Sequence, residues 1–271
     1  MTDDGPSRAG RGTGIRSALS RPLYRLYEER LLRSLDRSRL PRHVGVILDG
    51  HRRFARSAGL PDYASSYRAG MGKLTEFLGW CRDLEVPVLT CWVLSQENLE
   101  RPSVELDPYF DVLVDLFGTL PAIAGDDLQI GVIGSLRMVP DRLRLAAEEL
   151  TASAARGSRR LNLAVAYAGR QEIVDAVRDL VAKLAADGVE ADDLAGAIDA
   201  GAIAAHLYAA DLPDPDLVIR TSGESRLSGF LLWQAAYAEY SFVDVYWPGF
   251  RRVDFLRALR DYTRRERRFG R

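Results

Sequence analysis

The chain of 271 residues is poor in the residues that build disulfide frameworks and zinc sites. It has two cysteines, Cys81 and Cys91, and three histidines, at positions 43, 51 and 206. Neither set has the number or the spacing of a structural metal site. No signal peptide opens the sequence, so we expect reduced, buried thiols and a cytoplasmic protein.

Long hydrophobic runs and nucleotide-binding loops are also absent. No run approaches the ~18 apolar residues of a membrane-spanning helix, so no transmembrane segment is predicted. The motif GxxxxGK[ST] does not occur, and no GxGxxG follows a predicted strand, which weakens nucleotide binding as a function. Hydrophobic residues make up 47% of the chain and charged residues 28%, values that fit one α/β domain.

The formal net charge of -1 conceals an uneven distribution. Residues 1–42 hold ten Arg against five acidic residues, and residues 251–271 hold nine Arg against three. Solvated helix faces explain these basic ends more simply than an anionic partner does, until motifs indicate otherwise. They lack the interleaved aromatic residues of a nucleic-acid module, so no nucleic acid is predicted.

The pattern along the chain alternates between strands and helices. Residues 1–18 are rich in Gly, Ser, Arg and Thr and are predicted to be a disordered tail, with one folded domain over 19–271. A basic amphipathic helix follows the tail and ends by Pro41. Apolar, β-branched runs occur at 43–48, 87–94, 128–133, 161–167, 216–220 and 241–247. Helical patterns separate most of them, which predicts an α/β fold with a mostly parallel six-stranded sheet covered by helices.

Polar segments follow several of these strands. Parallel sheets bind ligands beyond the carboxyl ends of their strands, so these segments should meet at one edge. The first segment runs from Asp49 through Gly50 and His51 to Arg52 and Arg53. Glycine and two Arg at a helix start suit a phosphate group, and an acid beside them suggests Mg²⁺. A strand-terminal Asp that caps the next helix is the simpler alternative.

A second anion site is predicted after the fifth strand. Arg220, Arg226 and Ser228 frame a turn that contains Gly223. Two anion sites on one sheet edge indicate two phosphorylated substrates. Between them lie apolar residues that fit either a core or a hydrocarbon tunnel. These are Trp92, Val93, Leu94, Leu113, Leu116 and Phe117.

With these motifs the sequence resembles the cis-prenyltransferases, the family of undecaprenyl diphosphate synthase and short-chain Z-isoprenyl diphosphate synthases. The similarity runs from about residue 20 to the C-terminal RERRFGR. It is strongest in three blocks, HVGVILDGHRRFARSAG (43–59), SQENLERP (95–102) and DLVIRTSGESRLSGFLLWQAAYAE (216–239). The resemblance implies a sheet wrapped by helices around an apolar tunnel, in a homodimer. It also implies Mg²⁺-dependent transfer from a dimethylallyl, geranyl or farnesyl diphosphate to a second acceptor substrate.

The resemblance assigns roles to individual residues. It makes Asp49 the essential carboxylate for Mg²⁺ and the allylic diphosphate, and it links Glu239 to Mg²⁺. The remaining matches are Gly50, Arg52, Arg53 and Arg101 for the allylic diphosphate, Ser95 and Asn98 near the reacting carbons, and Arg220, Arg226, Ser228, Arg268 and Gly270 for the second diphosphate. Arg268 and Gly270 would complete the partner subunit's site.

One departure from the family pattern leaves the acceptor open. His51 stands where the family has Asn, a residue implicated in proton removal from isopentenyl diphosphate. Imidazole either replaces Asn as a hydrogen-bonding group or serves as a base for another acceptor, such as an aromatic ring of a natural product or a second allylic diphosphate. The branched side chain of Val93 favours a short prenyl unit of about C5 to C15. A non-catalytic partner subunit is the less favoured class, because Asp49, Arg53 and Glu239 are all present.

Overall fold

Six parallel strands form the sheet that carries the molecule. The structure is a computed structural model and describes residues 13–153 and 157–265. The strands are β1 (His43–Ile47), β2 (Val88–Trp92), β3 (Leu128–Ile133), β4 (Arg159–Ala164), β5 (Leu217–Arg220) and β6 (Glu239–Phe242). Their order is β3-β4-β2-β1-β5-β6, and each described pairing is parallel. The predicted α/β fold with a six-stranded sheet is therefore confirmed.

Helices connect and cover these strands. They are α1 (Thr13–Ser34), α2 (His51–Ser57), α3 (Tyr63–Asp83), α4 (Ser103–Ala124), α5 (Asp141–Ser153), α6 (Gly169–Ala186), α7 (Leu194–Ala197), α8 (Ala200–Ala204) and α9 (Arg252–Arg264). Helix α1 begins inside the segment 1–18 for which a tail was predicted. Residues 1–12 lie outside the described residues, so the tail stays a prediction for them.

The centre of the sheet contains the most deeply buried strands. Every residue of β1, β2 and β5 is buried, because helices cover both faces and these strands have neighbours on both sides. The chain runs from β1 toward β2 on one side and later returns to β5 on the other. Ligands of open α/β sheets bind at such a switch point, so the carboxyl ends of β1, β2 and β5 define the place for a site.

The larger part of the core lies between the sheet and helices α3, α4 and α9. Leu113, Leu116 and Phe117 of α4 are buried members of this cluster, which agrees with the core interpretation of these residues. Helix α1 packs along α9 and contributes Leu31 and Leu35 to the same core. The basic N-terminal helix thus has a packing role.

No helix within the described residues is long and apolar enough to cross a membrane. Cys81 of α3 and Cys91 of β2 are both free and buried, as the sequence predicted. Burial raises the pKa of the Cys91 thiol to about 12, so this group is protonated at neutral pH.

Candidate active site

A carboxylate and a buried guanidinium face each other at the ends of β1 and β5. Arg220 Nη2 donates to Asp49 Oδ2 at 2.9 Å, and Arg53 lies 3.8 Å from the same oxygen. Burial raises the pKa of the Asp49 carboxyl group, but the hydrogen bond and charge of Arg220 outweigh it, so the pKa lies below its ordinary value. Asp49 is therefore ionised at neutral pH, and about a third of its side chain remains exposed.

The backbone around this pair depends on unusual conformations. Gly50 precedes α2 with φ of 103°, a region that favours glycine, and an added Cβ would lie 2.7 Å from the Tyr246 ring. Ser222 has φ of 80° in the turn after β5, and its hydroxyl accepts a 2.8 Å hydrogen bond from Arg53. Strain of this kind clusters at functional sites, and here it fixes the direction of a guanidinium.

The first cavity has a volume of about 370 Å³ and opens beside Asp49. Its lining residues are Leu48, Asp49, Gly50, His51, Arg52, Arg53, Arg56, Tyr67, Val93, Asn98, Arg101, Tyr109 and Glu224. Four of them are Arg and two are acidic, so the cavity carries excess positive charge. A group with several negative charges, such as a diphosphate, matches this lining.

Glu105 of α4 organises one wall of the first cavity. Its Oε1 accepts hydrogen bonds from Arg101 at 3.1 Å and from the Tyr67 hydroxyl at 3.0 Å, and it lies 3.8 Å from Arg52. Arg101 also donates to Asn98 Oδ1 at 2.6 Å. These contacts hold Arg101 in one geometry before any ligand binds, which reduces the entropy cost of binding an anion.

A second cavity, of about 390 Å³, is also lined by Asp49. It is lined by Ile47, Leu48, Asp49, Trp92, Val93, Ser95, Glu97, Asn98, Arg101, Arg220 and Ser228. Arg220 donates to Ser228 Oγ at 2.8 Å and to the carbonyl oxygen of Arg226. The two cavities share Asp49, Asn98, Arg101, Val93 and Leu48. Two ligands bound in them would meet at these shared residues.

His51 lies on the wall of the first cavity only. Its Nδ1 is 3.3 Å from the carbonyl oxygen of Ser66, which makes Nδ1 the protonated nitrogen, and Nε2 has no hydrogen-bond partner in the described part of the chain. Burial lowers the pKa of the imidazole to about 4, so the ring is neutral at neutral pH. The ring occupies space that Gly70 leaves open, since a Cβ there would lie 2.0 Å from His51 Cε1.

Some predicted residues do not reach either cavity. Leu94 is fully buried in the core, and the Arg226 side chain is mostly exposed and pairs with Glu224 at 2.7 Å. Glu239 begins β6 at the opposite edge of the sheet from Asp49 and pairs with Arg265 at 2.5 Å. One chain therefore does not bring Asp49 and Glu239 together. Arg268 and Gly270 lie outside the described residues.

Nothing in the sequence indicated that several of the lining residues belong to the site. Tyr67, Tyr109 and Arg56 occur within helices, where aromatic and charged residues are ordinary, and only the packing of α2, α3 and α4 brings them to the first cavity. Glu105 follows Arg101 by four residues, a spacing that could have indicated the ion pair, although Arg101 precedes the first residue of α4.

Asp49 can hold Mg²⁺ only if a bound substrate supplies further oxygen atoms to the ion. No group of three or more His, Cys, Asp or Glu side chains within 13–153 and 157–265 is arranged to hold a metal ion. Mg²⁺ is commonly bound through one or two carboxylates plus substrate phosphate oxygens and water. The ionised, partly exposed Asp49 meets that requirement, with diphosphate oxygens as the further ligands.

Two arginine-containing cavities therefore meet at one carboxylate, at the carboxyl ends of β1, β2 and β5 where ligands of α/β sheets bind. The family model described as "Putative undecaprenyl diphosphate synthase" matches residues 47–270 of this chain. The chain belongs to this family, and it is a prenyltransferase.

The similarity to individual proteins extends over nearly the whole chain. The (2Z,6E)-farnesyl diphosphate synthase of Mycolicibacterium smegmatis is 49% identical over 258 residues, which cover 93% of this chain and 97% of the relative. The short-chain Z-isoprenyl diphosphate synthase of Mycobacterium bovis is 48% identical over 257 residues, with the same coverage. Among solved structures, lavandulyl diphosphate synthase from Lavandula x intermedia in complex with dimethylallyl diphosphate is 33% identical, with a TM-score of 0.78, 86% of this chain covered and 100% of that chain.

Proposed function

We propose that this enzyme transfers a short allylic group from its diphosphate to isopentenyl diphosphate and forms a short Z-isoprenyl diphosphate. The observation that carries the proposal is the pair of polar cavities that meet at Asp49, Asn98 and Arg101. The names of the two synthases that share 48% and 49% identity with this chain support the same reaction.

The allylic diphosphate occupies the first cavity. Its charge suits the four guanidinium groups there, and its prenyl group contacts the apolar residues Leu48 and Val93. Arg53 is held between Ser222 and Glu224, while Arg101 is held by Glu105 and Asn98. These contacts fix both guanidinium groups beside the cavity, where their remaining N–H groups can donate to the leaving group.

Isopentenyl diphosphate occupies the second cavity. Its diphosphate contacts Arg220 and Ser228, and its alkene lies toward Val93 and Asn98, which both cavities share. The allylic C–O bond breaks with its electron pair leaving on the diphosphate, and the alkene forms the new C–C bond. The departing diphosphate takes up the proton that the acceptor loses. The apolar residues Ile47 and Trp92 limit the water that can intercept an allylic cation.

Asp49 would hold Mg²⁺ together with diphosphate oxygens. When bound, the ion supplies charge that stabilises the departing diphosphate. Without a ligand, Asp49 is paired with Arg220 and lies 3.8 Å from Arg53, so this carboxylate is oriented before the substrates arrive.

The position of His51 favours isopentenyl diphosphate as the acceptor. His51 motivated the alternative of an aromatic or second allylic acceptor, but it lines the first cavity and is not among the residues of the second. In the proposed assignment it therefore contacts the donor side. Its ring is neutral, and Nε2, the nitrogen that could accept a hydrogen bond, is buried without a partner in the described part of the chain.

Product analysis tests the reaction directly. The full chain is incubated with Mg²⁺ and labelled dimethylallyl, geranyl or farnesyl diphosphate, with and without isopentenyl diphosphate, and the products are resolved by mass spectrometry. We expect Z-isoprenyl diphosphates only when isopentenyl diphosphate is present. Products formed from an allylic diphosphate alone, or an inactive enzyme that His51→Asn restores to elongation, would instead support the other acceptors.

A homodimer is part of the proposal. Arg265, the last described residue, contacts Glu239 at the edge of the sheet opposite Asp49, which fits a C-terminal segment that serves a neighbouring subunit. Co-expression of Asp49→Ala and Arg268→Ala subunits with different tags tests this. Mixed dimers retain one complete site if Arg268 acts across the dimer, and none if it acts within its own chain. The cytoplasm stays the predicted location of the reaction.

A further inference from the structure

The second cavity has an apolar wall that the first cavity lacks. Ile47 and Trp92 line the second cavity and are not among the lining residues of the first. They belong to a smaller apolar cluster, separate from the core that α3, α4 and α9 cover. Successive side chains of a strand point to opposite faces, and Cys91 and Val93, the neighbours of Trp92, belong to the larger core. The Trp92 ring therefore lies on the other face of the sheet, where it adjoins the second cavity alone.

Two buried aromatic rings pack against Trp92. The Trp92 and Phe230 rings are stacked, with centroids 5.3 Å apart at 10°. Tyr167 meets both rings edge to face, with its centroid 6.0 Å from Trp92 and 6.1 Å from Phe230. Tyr167 and Phe230 are fully buried, and neither is among the lining residues of the two cavities. These two rings therefore support the Trp92 ring on the side away from the cavity.

Hydrogen bonds fix the two supporting rings. The Tyr167 hydroxyl donates to Glu172 at 2.5 Å and accepts a 3.1 Å hydrogen bond from the backbone N–H of Leu231, the residue after Phe230. Both bonds are buried, so moving either ring would leave buried polar groups unpaired. The Phe230 ring also packs on β1 at Gly45, where an added Cβ would lie 3.0 Å from Phe230 Cε1. The indole ring that rests on them therefore cannot withdraw from the cavity.

The segment that carries Phe230 also fixes the place of the acceptor's diphosphate. Arg220 donates to Ser228 Oγ at 2.8 Å, and Ser228 stands two residues before Phe230. Gly229 joins them with φ of 92°, a region that favours glycine. A diphosphate held by Arg220 and Ser228 therefore lies at a set distance from the Trp92 ring. The space between them limits the hydrocarbon part of a ligand.

We propose that Trp92, stacked on Phe230, sets the size of the hydrocarbon group that the second cavity accepts, so that isopentenyl diphosphate fits and larger acceptors do not. This inference rests on the proposed placement of isopentenyl diphosphate in that cavity. It assigns a specificity-determining role to a side chain that touches the acceptor and takes no part in bond breaking. Acceptors with larger hydrocarbon groups, among them the aromatic rings of natural products, are rejected by their size.

The test measures how the full chain binds two saturated acceptor analogues, which cannot react. Dimethylallyl thiolodiphosphate and Mg²⁺ first fill the first cavity, and 3-methylbutyl or 3-ethylpentyl diphosphate is then titrated calorimetrically. The unmodified protein should bind the smaller analogue at least about tenfold more tightly, because the larger one must displace a fixed ring. Trp92→Leu removes the ring and should reduce this preference by about tenfold. The indole N–H has no hydrogen-bond partner in the described part of the chain, so the substitution leaves no acceptor atom unpaired.

Trp80→Leu is the matched control, because it makes the same change at a tryptophan that packs on the larger core and lines neither cavity. Its ratio of the two Kd values should equal that of the unmodified protein. Phe230→Leu should lower the preference for the smaller analogue, although Phe230 lines neither cavity, because the Trp92 ring loses its support.

An unchanged ratio of Kd values in folded Trp92→Leu overturns the proposal, and so does an equal change in Trp80→Leu or an unchanged ratio in Phe230→Leu. If Trp92→Leu fails to fold, Trp92→Phe gives the same comparison with a smaller loss of ring area. Binding of the saturated analogues needs no turnover. Expected Kd ratios in a protein that transfers nothing to isopentenyl diphosphate would therefore contradict the proposed function and leave the size limit supported.

Discussion

The parallel strands end at two sides of the sheet, their carboxyl ends, which we call the carboxyl edge, and their amino ends, which we call the opposite edge. The two use the same residue types for different purposes. At the carboxyl edge, Asp49 pairs with Arg220 while keeping a third of its side chain exposed to two cavities. At the opposite edge, Asp216 accepts hydrogen bonds from the backbone N–H groups of Arg42 at 2.7 Å and His43 at 3.2 Å. The first carboxylate faces a binding space, whereas the second ties the start of β1 to the start of β5.

Charge balance alone does not separate the edges. The first cavity has four Arg against two acidic residues, and a cavity of about 300 Å³ at the opposite edge has three Arg, at positions 39, 42 and 265, against one acidic residue. At that edge Glu239 also meets Arg265 in a direct ion pair. The difference lies in the surroundings of each carboxylate, because Asp49 lines two cavities that share five residues.

The largest expected effect belongs to Asp49→Ala. Removing the carboxylate takes away the proposed metal ligand and leaves Arg220 without its partner, so turnover should fall by about 10³-fold or more. Steady-state kinetics with allylic and isopentenyl diphosphates measures this, with circular dichroism to confirm folding. Near-normal turnover in a folded variant would contradict the assignment of the carboxyl edge.

Arg220→Lys should weaken the second site by about 100-fold in kcat/KM for isopentenyl diphosphate. A lysine carries the charge but cannot reach Asp49, Ser228 and the Arg226 carbonyl together, as the guanidinium does. Kinetics at saturating allylic diphosphate checks this. A loss confined to the KM of the allylic donor would show that the two cavities are assigned the wrong way round.

Stability should depend on pH through His51. The folded protein keeps this ring neutral because burial lowers its pKa to about 4, while the unfolded chain binds a proton below about pH 6.5. The stability that the unprotonated His51 ring contributes is complete above about pH 6.5 and is lost as the pH falls toward 4. Between pH 7 and 5 the unmodified protein should lose about 2 kcal/mol more stability than His51→Asn. Urea unfolding at both pH values measures the difference, and equal losses would contradict the buried, neutral ring.

Asp216→Ala should give the smallest change in catalytic turnover. The two backbone donors would lose their acceptor, so the free energy of unfolding should fall by about 2 kcal/mol. The kcat/KM of the folded protein should stay within about threefold of the unmodified value, since Asp216 lies at the edge away from both cavities. A loss of turnover without a loss of stability would contradict the purely structural role of Asp216.

The strand pattern and the polar segments after the strands were readable from the sequence. Continuous apolar runs predicted the positions of the first five strands, because strands covered on both faces are rich in apolar residues. The sixth run was placed at 241–247, whereas β6 is Glu239–Phe242, an edge strand whose residues are at most partly buried. Asp49, Arg53 and Arg220 followed from the rule that ligands bind at the carboxyl ends of such strands.

The rest of the site depends on packing that local sequence does not encode. Glu239 lies at the start of β6. Only the register of β5 with β6 shows that it is at the opposite end of the strands from Asp49. Tyr67 and Tyr109 come from separate helices and meet only after α3 and α4 pack together. The burial of His51 likewise depends on Gly70, which lies on the next helix.

Binding of two diphosphates at once is the most direct test of the two-cavity site. The full chain is saturated with dimethylallyl thiolodiphosphate and Mg²⁺ and then titrated calorimetrically with isopentenyl diphosphate. The two cavities predict that isopentenyl diphosphate binds with one equivalent per chain and leaves the analogue in place. Displacement of the analogue would mean that both ligands use one site, which contradicts the account.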